Sequence, residues 1–202
     1  MKSRILLCGL VAALLTSCAG NMIVRPDYHP PLRADAPLAA VPKLKVRLLD
    51  FADRREPPMD ASRVGRRETS GVMPMVDVFS ERPVSDIVRD AVWTELVRNG
   101  HRIVTSDEDV TMQGDIHGFW VGTETTGPAW DVSGEVSIAF RVTYPAAGSP
   151  TVIRSYTGKN VERTYLTPGK EIMARPLVKS LADVMTSMSS DRELMAALKA
   201  GR

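Results

Sequence analysis

The chain has 202 residues, with 26 Lys and Arg against 24 Asp and Glu, and 44% of it is apolar. That length and apolar share suit one ordinary domain with a hydrophobic core and exclude a globally disordered chain. Lys2 and Arg4 account for the whole cationic excess, so the rest of the chain lacks the basic surplus of a nucleic-acid binder.

Those two cations precede an apolar run from Ile5 to Leu15, and small residues follow. A charged start, a short greasy middle and small residues at the cut make residues 1–17 a secretory signal peptide. The run is too short for a spanning helix, which needs about 20 residues. Leu15-Thr16-Ser17-Cys18 resembles the bacterial lipobox, whose cysteine is lipidated on sulfur and becomes the new N-terminus. The resemblance implies a diacylglycerol on Cys18 and a further acyl chain on its amine. Each buried methylene contributes about 0.8 kcal/mol, so two or more chains hold a protein on its membrane. Ala19 follows, and by the same resemblance this favours the outer membrane, with the folded part facing the periplasm. Cys8 leaves with the signal and Cys18 is consumed by the lipid, so the domain is expected to fold without disulfides.

From Ala19 to Pro42 the chain carries Pro26, Pro30, Pro31, Pro37 and Pro42 without an apolar period. It reads as an extended tether, able at roughly 3 Å per residue to hold the domain up to about 70 Å from the membrane. Leu44 to Phe51 alternates as a strand with Leu44, Val46 and Leu48 on one face. A long polar segment follows from Ala52 to Gly71. Val72 to Phe79 is a second strand that Pro74 confines to an edge.

Pro83 to Asn99 is the clearest helix. Val84, Ile87, Val88, Ala91, Val92 and Leu96 form one stripe, Trp93 and Val97 widen it, and Gly100 stands where a left-handed cap belongs. His101 to Val104, Val110 to Gly122, and Val132 to Tyr144 are the next strands, the last two alternating apolar and polar residues as one-sided antiparallel strands do. Ala146 to Pro150 reads as a hairpin loop into Val152 to Arg163. Leu177, Val178, Leu181, Val184, Met185 and Met188 make a second helical stripe, with Pro176 in its first turn or kinking it. Ser190-Asp-Arg-Glu193 matches a capping box opening a last short helix. The expected class is α+β: a mostly antiparallel sheet with two main helices packed on one face, in the order strand, helix, strands, helix. The expected organisation is a signal at 1–17, a lipidated and Pro-rich tether at 18–42, and a single periplasmic domain at 43–200.

Catalytic and metal-binding patterns are sparse. Asp115 and His117 share one face of a strand, an arrangement that would suit a weak metal or acid/base pair but on a wet sheet face is more often solvated surface. No HExxH, CxxC or GxSxG spacing accompanies them. The expectation is a protein without catalytic residues, metal or cofactor. Gly114, Gly118 and Gly122, four apart, would let a backbone or an aromatic ring approach the sheet. The adjacent Asp107, Glu108 and Asp109 read as a solvated turn. Arg54, Arg55, Arg63, Arg66 and Arg67 cluster among Asp53, Glu56, Asp60 and Glu68. Arginine forks suit phosphate or carboxylate, so the segment fits either an anionic-ligand contact or a charged loop that makes its own ion pairs. Trp130, with Trp120 nearby, fits either a partner contact or loop packing.

The lipobox, the Pro-bearing stretch, Leu49-Asp-Phe-Ala-Asp-Arg54, Val64-Gly65, the helix from Val84 to Gly100, the three strands and the closing helix with Met188-Ser-Ser-Asp191 together resemble the YajG-like family of bacterial lipoproteins, over about residues 43–198. The resemblance implies an envelope lipoprotein and brings no catalytic residues with it. The layout is similar, more loosely, to auxiliary lipoproteins of lipid-transport systems. Two functions are therefore expected: a tethered, non-enzymatic domain binding an envelope protein partner, or a lipid- or glycan-binding accessory of an envelope transport system.

Overall fold

The structure, a computed structural model, describes residues 20–30, 37–57, 60–68, 75–145 and 151–200. Its strands are β1 (Met22–Val24), β2 (Lys45–Asp53), β3 (Arg63–Arg67), β4 (Val76–Ser80), β5 (Arg102–Ile103), β6 (Val110–Thr126), β7 (Ala129–Thr143) and β8 (Val152–Thr164). Its helices are α1 (Val84–Arg98), α2 (Lys170–Ser190) and α3 (Arg192–Ala200), with a 3-10 turn at Pro37–Ala40. None of the described helices is long and apolar enough to cross a membrane. Cys18 and its lipobox lie outside the described residues, as do Val72 to Pro74 and the expected hairpin loop at 146–150.

All eight strands join one sheet, in which β6 is the spine. Along one edge it pairs antiparallel with β7, from Thr111 opposite Thr143 to Thr126 opposite Ala129, and β8 extends the sheet beyond β7. Along its other edge β6 takes two parallel partners in succession. Val110 to Ile116 pair with β2, while Val121 and Gly122 pair with β3. Beyond these, β4 is antiparallel to β3, β1 is parallel to β4, and β5 is parallel to β2. The class is α+β with a mostly antiparallel sheet, as expected, and the shorter parallel ladders make that sheet mixed. The alternation in β6 and β7 does bury one face, with Met112, Ile116, Phe119, Val121, Val136, Ile138 and Phe140 inside.

The expected element order and the single helical face need correction. Strands β1 and β3 precede α1, where no strand was anticipated. The helices also do not all share one face: α1 covers β2 and β5, α2 crosses β6 to β8 and reaches β1, and α3 packs against the 3-10 turn and β8. There Leu194, Met195 and Leu198 close the end of the core beside Leu38, because the sheet is already covered by α2. On α1, Trp93 and Val97 do not extend the buried stripe but remain 50% and 46% exposed. The stripe that is buried ends at Leu96, and Gly100 adopts φ +84° as expected.

Helix α2 starts at Lys170, so Pro176 lies in its second turn rather than its first. The close approach expected at the β6 glycines holds at Gly114, where a Cβ would meet the Phe51 ring at 2.5 Å. Phe51 in turn stacks edge-on to Phe140 at 6.3 Å. At Gly122 the nearest atom is 3.7 Å away, an ordinary contact.

The Pro-rich stretch is largely part of the fold, not a free tether. Val24, Leu38 and Val41 are buried in the core, and the Tyr28 hydroxyl donates to Glu95 at 2.8 Å. His101, buried, receives the Leu44 N–H on Nδ1 and so carries its proton on Nε2, which faces the Leu38 carbonyl at 3.3 Å. Burial lowers the His101 pKa, in keeping with this neutral form. Prolines removed regular periodicity from this stretch without removing its apolar anchors.

Asp191, not Ser190, caps α3. Its carboxylate accepts from the N–H groups of Glu193 (2.8 Å) and Leu194 (3.1 Å), while the Tyr156 hydroxyl donates to its other oxygen at 2.7 Å. Burial raises the Asp191 pKa, but these donors and Arg154 outweigh it and leave the group below its usual value. A carboxyl depressed by folding stabilises above the ordinary carboxylate range, and that contribution is lost as pH falls toward its folded value. Asp191→Ala should therefore cost about 2 kcal/mol at neutral pH. In urea titrations repeated at decreasing pH, its gap from wild type should shrink; a gap independent of pH would show that the carboxylate is not the source.

Candidate functional site

The arginine-rich segment fills the break between β2 and β3. The two strands lie along the same edge of β6, so the chain must leave that edge after Asp53 and rejoin it at Arg63. Arg55 bridges the break. Only 6% exposed, it grips Asp53 through Nε at 2.8 Å and Nη2 at 2.6 Å. It also donates to the carbonyls of Arg63 (2.6 Å), Phe119 (3.3 Å), Asp60 (3.3 Å) and Ala61 (3.4 Å). Partial burial raises the Asp53 pKa, yet the Arg55 bonds outweigh it and hold the carboxyl below its usual range.

The other arginines of the segment are also engaged. Arg63 and Arg66 both bind Asp77, at 2.7 and 3.3 Å. Desolvation raises the Asp77 pKa, and the two guanidiniums more than reverse it. Arg63 also lies over the Trp120 ring at 5.8 Å. Arg67 donates to the Pro168 carbonyl at 3.0 Å, and Arg54 reaches Asp115 at 3.4 Å. The structure thus gathers Arg54, Arg55, Arg63, Arg66 and Arg67 around β3 and gives each an internal partner, although the Nε atoms of Arg63 and Arg67 are buried without one. Asp115 and His117 line an open depression with Asp53, Arg54, Arg55, Glu56 and Ala61, but Asp115 is turned to Arg54. Among the described residues no three His, Cys, Asp or Glu side chains converge as metal ligands.

Elsewhere two arginines have no side-chain partner among the described residues. Where β5 forms the edge of the sheet beside α1, an open groove of about 730 Å³ is bordered by Arg47, Arg89, Asp90, Trp93, Arg102 and Ser106, among others. Its charges are unequal. Arg47 reaches Glu108 only at 3.4 Å, and Asp90 is bound to Arg82 at 2.5 Å. Among the described residues, the side chains of Arg89 and Arg102 have neither hydrogen bond nor ion pair. Half-exposed Trp93 borders the same groove. The groove therefore offers two free guanidiniums, a third that is weakly held, and an indole face. That combination suits carboxylate or phosphate groups carried next to an apolar or aromatic body. Sequence reasoning missed it because its members come from β2, α1 and the segment 102–106. The one local signal was Trp93 at the margin of the helical stripe.

A family model described as an uncharacterized lipoprotein matches residues 47–199. Among solved structures, the chain is similar to protein XCC0632 from Xanthomonas campestris, with a TM-score of 0.62 at 12% identity, over 90% of this chain and 100% of that one. At that identity the likeness shows a shared fold. A minor lipoprotein from Acinetobacter baumannii has a TM-score of 0.40 at 11% identity, over 69% of this chain and 94% of that one. Comparison with the curated proteins gives no match. Since the matched stretch runs from β2 into α3, the chain belongs to this family of bacterial lipoproteins, the YajG-like group that its sequence resembles.

Proposed function

We propose that the protein is held at the outer membrane by acyl chains on Cys18 and works, facing the periplasm, as a non-enzymatic binding domain for an envelope protein. The observation that carries this reading is the groove with its free Arg89 and Arg102 beside exposed Trp93. Arg and Trp are enriched at protein interfaces and among their energetic centres. The partner that fits is a protein presenting an acidic segment with an apolar side chain. A lipid- or glycan-binding accessory of a transport system would draw on the Arg54 to Arg67 segment, four of whose five arginines already face Asp53, Asp77 or Asp115.

The test is cross-linking in intact cells followed by mass spectrometry, comparing wild type with Arg89→Glu/Arg102→Glu and with Trp93→Ala. Loss of a central contact costs about 2 kcal/mol, roughly a thirtyfold loss of affinity, so the cross-linked partner should fall away in both variants. An undiminished partner yield would remove the groove from the function. Cys18→Ala, run alongside, should give an unlipidated chain of altered electrophoretic mobility that no longer fractionates with membranes.

A further inference from the structure

We infer that the end of the sheet bearing the β6–β7 turn and the β8–α2 loop is seated on the phospholipid headgroups, so that the groove is presented at the opposite end. This inference rests on the anchoring of Cys18. Its first support is the length of chain between anchor and fold. The described chain begins at Gly20, and β1 begins at Met22. Two peptide units span at most about 7 Å, so an acylated Cys18 cannot lift the domain clear of the bilayer.

Sheet register then decides which end faces the lipid. Met22 pairs with Val78 in parallel, and continuing that register N-terminally brings Gly20 level with Val76, which is opposite Arg67. Arg66 in turn pairs with Gly122 of β6. From Thr123, level with Arg67, β6 continues to Thr126 before turning, roughly 10 Å further at about 3.3 Å per residue. The hairpin therefore projects at least as far as the anchored sulfur can reach. Thr164 pairs with Trp130, so Tyr165 and Leu166 emerge at the same end.

The surface there has the chemistry of a membrane contact. Tyr165 and Leu166 are 74% and 73% exposed, and Met75, which precedes β4 at the same end, is 56% exposed. Leucine and methionine insert among acyl chains, and tyrosine belongs at the headgroup level, where one end of the ring is apolar and the other wet. The neighbouring Arg163 is neutralised by Asp131 at 2.7 Å, so the contact is apolar in origin and should be insensitive to salt. At the far end Arg47 is opposite Thr111. The run of β6 from Thr111 to Thr126 sets the groove and the membrane end about 50 Å apart.

Apart from Cys8 in the signal and Cys18 itself, the chain has no cysteine, and thioether-linked Cys18 has no free thiol. Single introduced cysteines can therefore carry a polarity-sensitive fluorophore. Leu166→Cys, Met75→Cys and Ser106→Cys, each purified in lipidated form, would be reconstituted in vesicles of phosphatidylethanolamine and phosphatidylglycerol. The labels at 166 and 75 should shift to the blue and be quenched by a bilayer-embedded quencher several-fold more than the label at 106, at low and high salt alike. Vesicle-bound protein with all three labels equally aqueous, or with 106 the most quenched, would overturn the orientation while leaving the anchor intact. Intact mass, measured first, separates that failure from the other: a chain without a fatty-acid increment would overturn the anchor and the orientation together.

Discussion

Replacing Arg55 with Ala should cost about 3 kcal/mol, a large share of the 5–15 kcal/mol that a domain of this kind has in total. The guanidinium fills the interval where β6 has lost one parallel partner and not yet gained the next. Its removal leaves the carbonyls of Phe119 and Arg63 without their donor and Asp53 without its cation. The estimate is at the low end for a broken buried pair because the Asp53 side chain keeps 24% of its exposure, and water can take over part of the work. Urea unfolding should show a lower midpoint with an unchanged slope. Arg55→Lys should recover little, since one ammonium cannot span a carboxylate and several carbonyls in a plane. The pH dependence supplies a second check. Asp53, depressed on folding by Arg55, stabilises above the usual carboxylate range and loses that contribution as pH falls. The Arg55→Ala protein should therefore lose less stability than wild type on acidification. By contrast, breaking the exposed pair Lys159–Glu135, with side chains 66% and 47% exposed, should change stability by well under 1 kcal/mol. An Arg55→Ala midpoint equal to that control would mean that the break between β2 and β3 does not need its bridge.

Legibility from sequence followed the range of the interactions involved. Helix α1 and strands β6, β7 and β8 were readable because periodicity and the Gly100 cap are local properties. Strands β1 and β3 were not. Met22–Val24 and Arg63–Arg67 are short, and their partners, Val78 and Val121, are remote in sequence. Pro and Arg in the flanking residues also imitate a tether and a solvated loop. The mixed sheet has the same cause: parallel pairing of β2 with β6 depends on α1 and the loops returning the chain to one edge, which no short window records. At the candidate site, the reading of the Arg54 to Arg67 segment left two outcomes open; the ion pairs to Asp53, Asp77 and Asp115 depend on strand pairing that no short window records. The groove was invisible because Arg47, Arg89 and Arg102 stand among ordinary surface charges until the fold brings them together around Trp93.

Close helix–sheet packing was equally hidden, and it leads to the second large effect. Helix α2 lies against β7 and β8 where two buried-face positions lack side chains. A Cβ on Gly158 would stand 2.1 Å from the Ser180 carbonyl oxygen and 3.1 Å from the Asp183 Cβ; one on Gly134 would stand 2.5 Å from the Pro176 carbonyl carbon. The contact is held by Ser180 Oγ, which donates to the Gly134 carbonyl at 2.9 Å, and by Asn160, which donates to Asp183 at 2.7 Å. Because the obstacle at Gly158 is helix main chain, no rotamer change relieves it, and α2 must move off the sheet. Gly158→Ala should thus cost about 3 kcal/mol, the upper part of the range for overpacking. Movement of α2 would also disturb Met173, Leu177, Leu181 and Met185, all fully buried under it. Gly122→Ala is the matched control, with the same methyl added in the same sheet and the nearest atoms at 3.7 and 3.8 Å. There the substitution should be neutral or stabilise by about 0.5 kcal/mol, by narrowing the unfolded ensemble. Thermal and urea midpoints that fall at 158 and hold at 122 would place the cost in the helix contact. Equal losses at both positions would place it in the strand backbone.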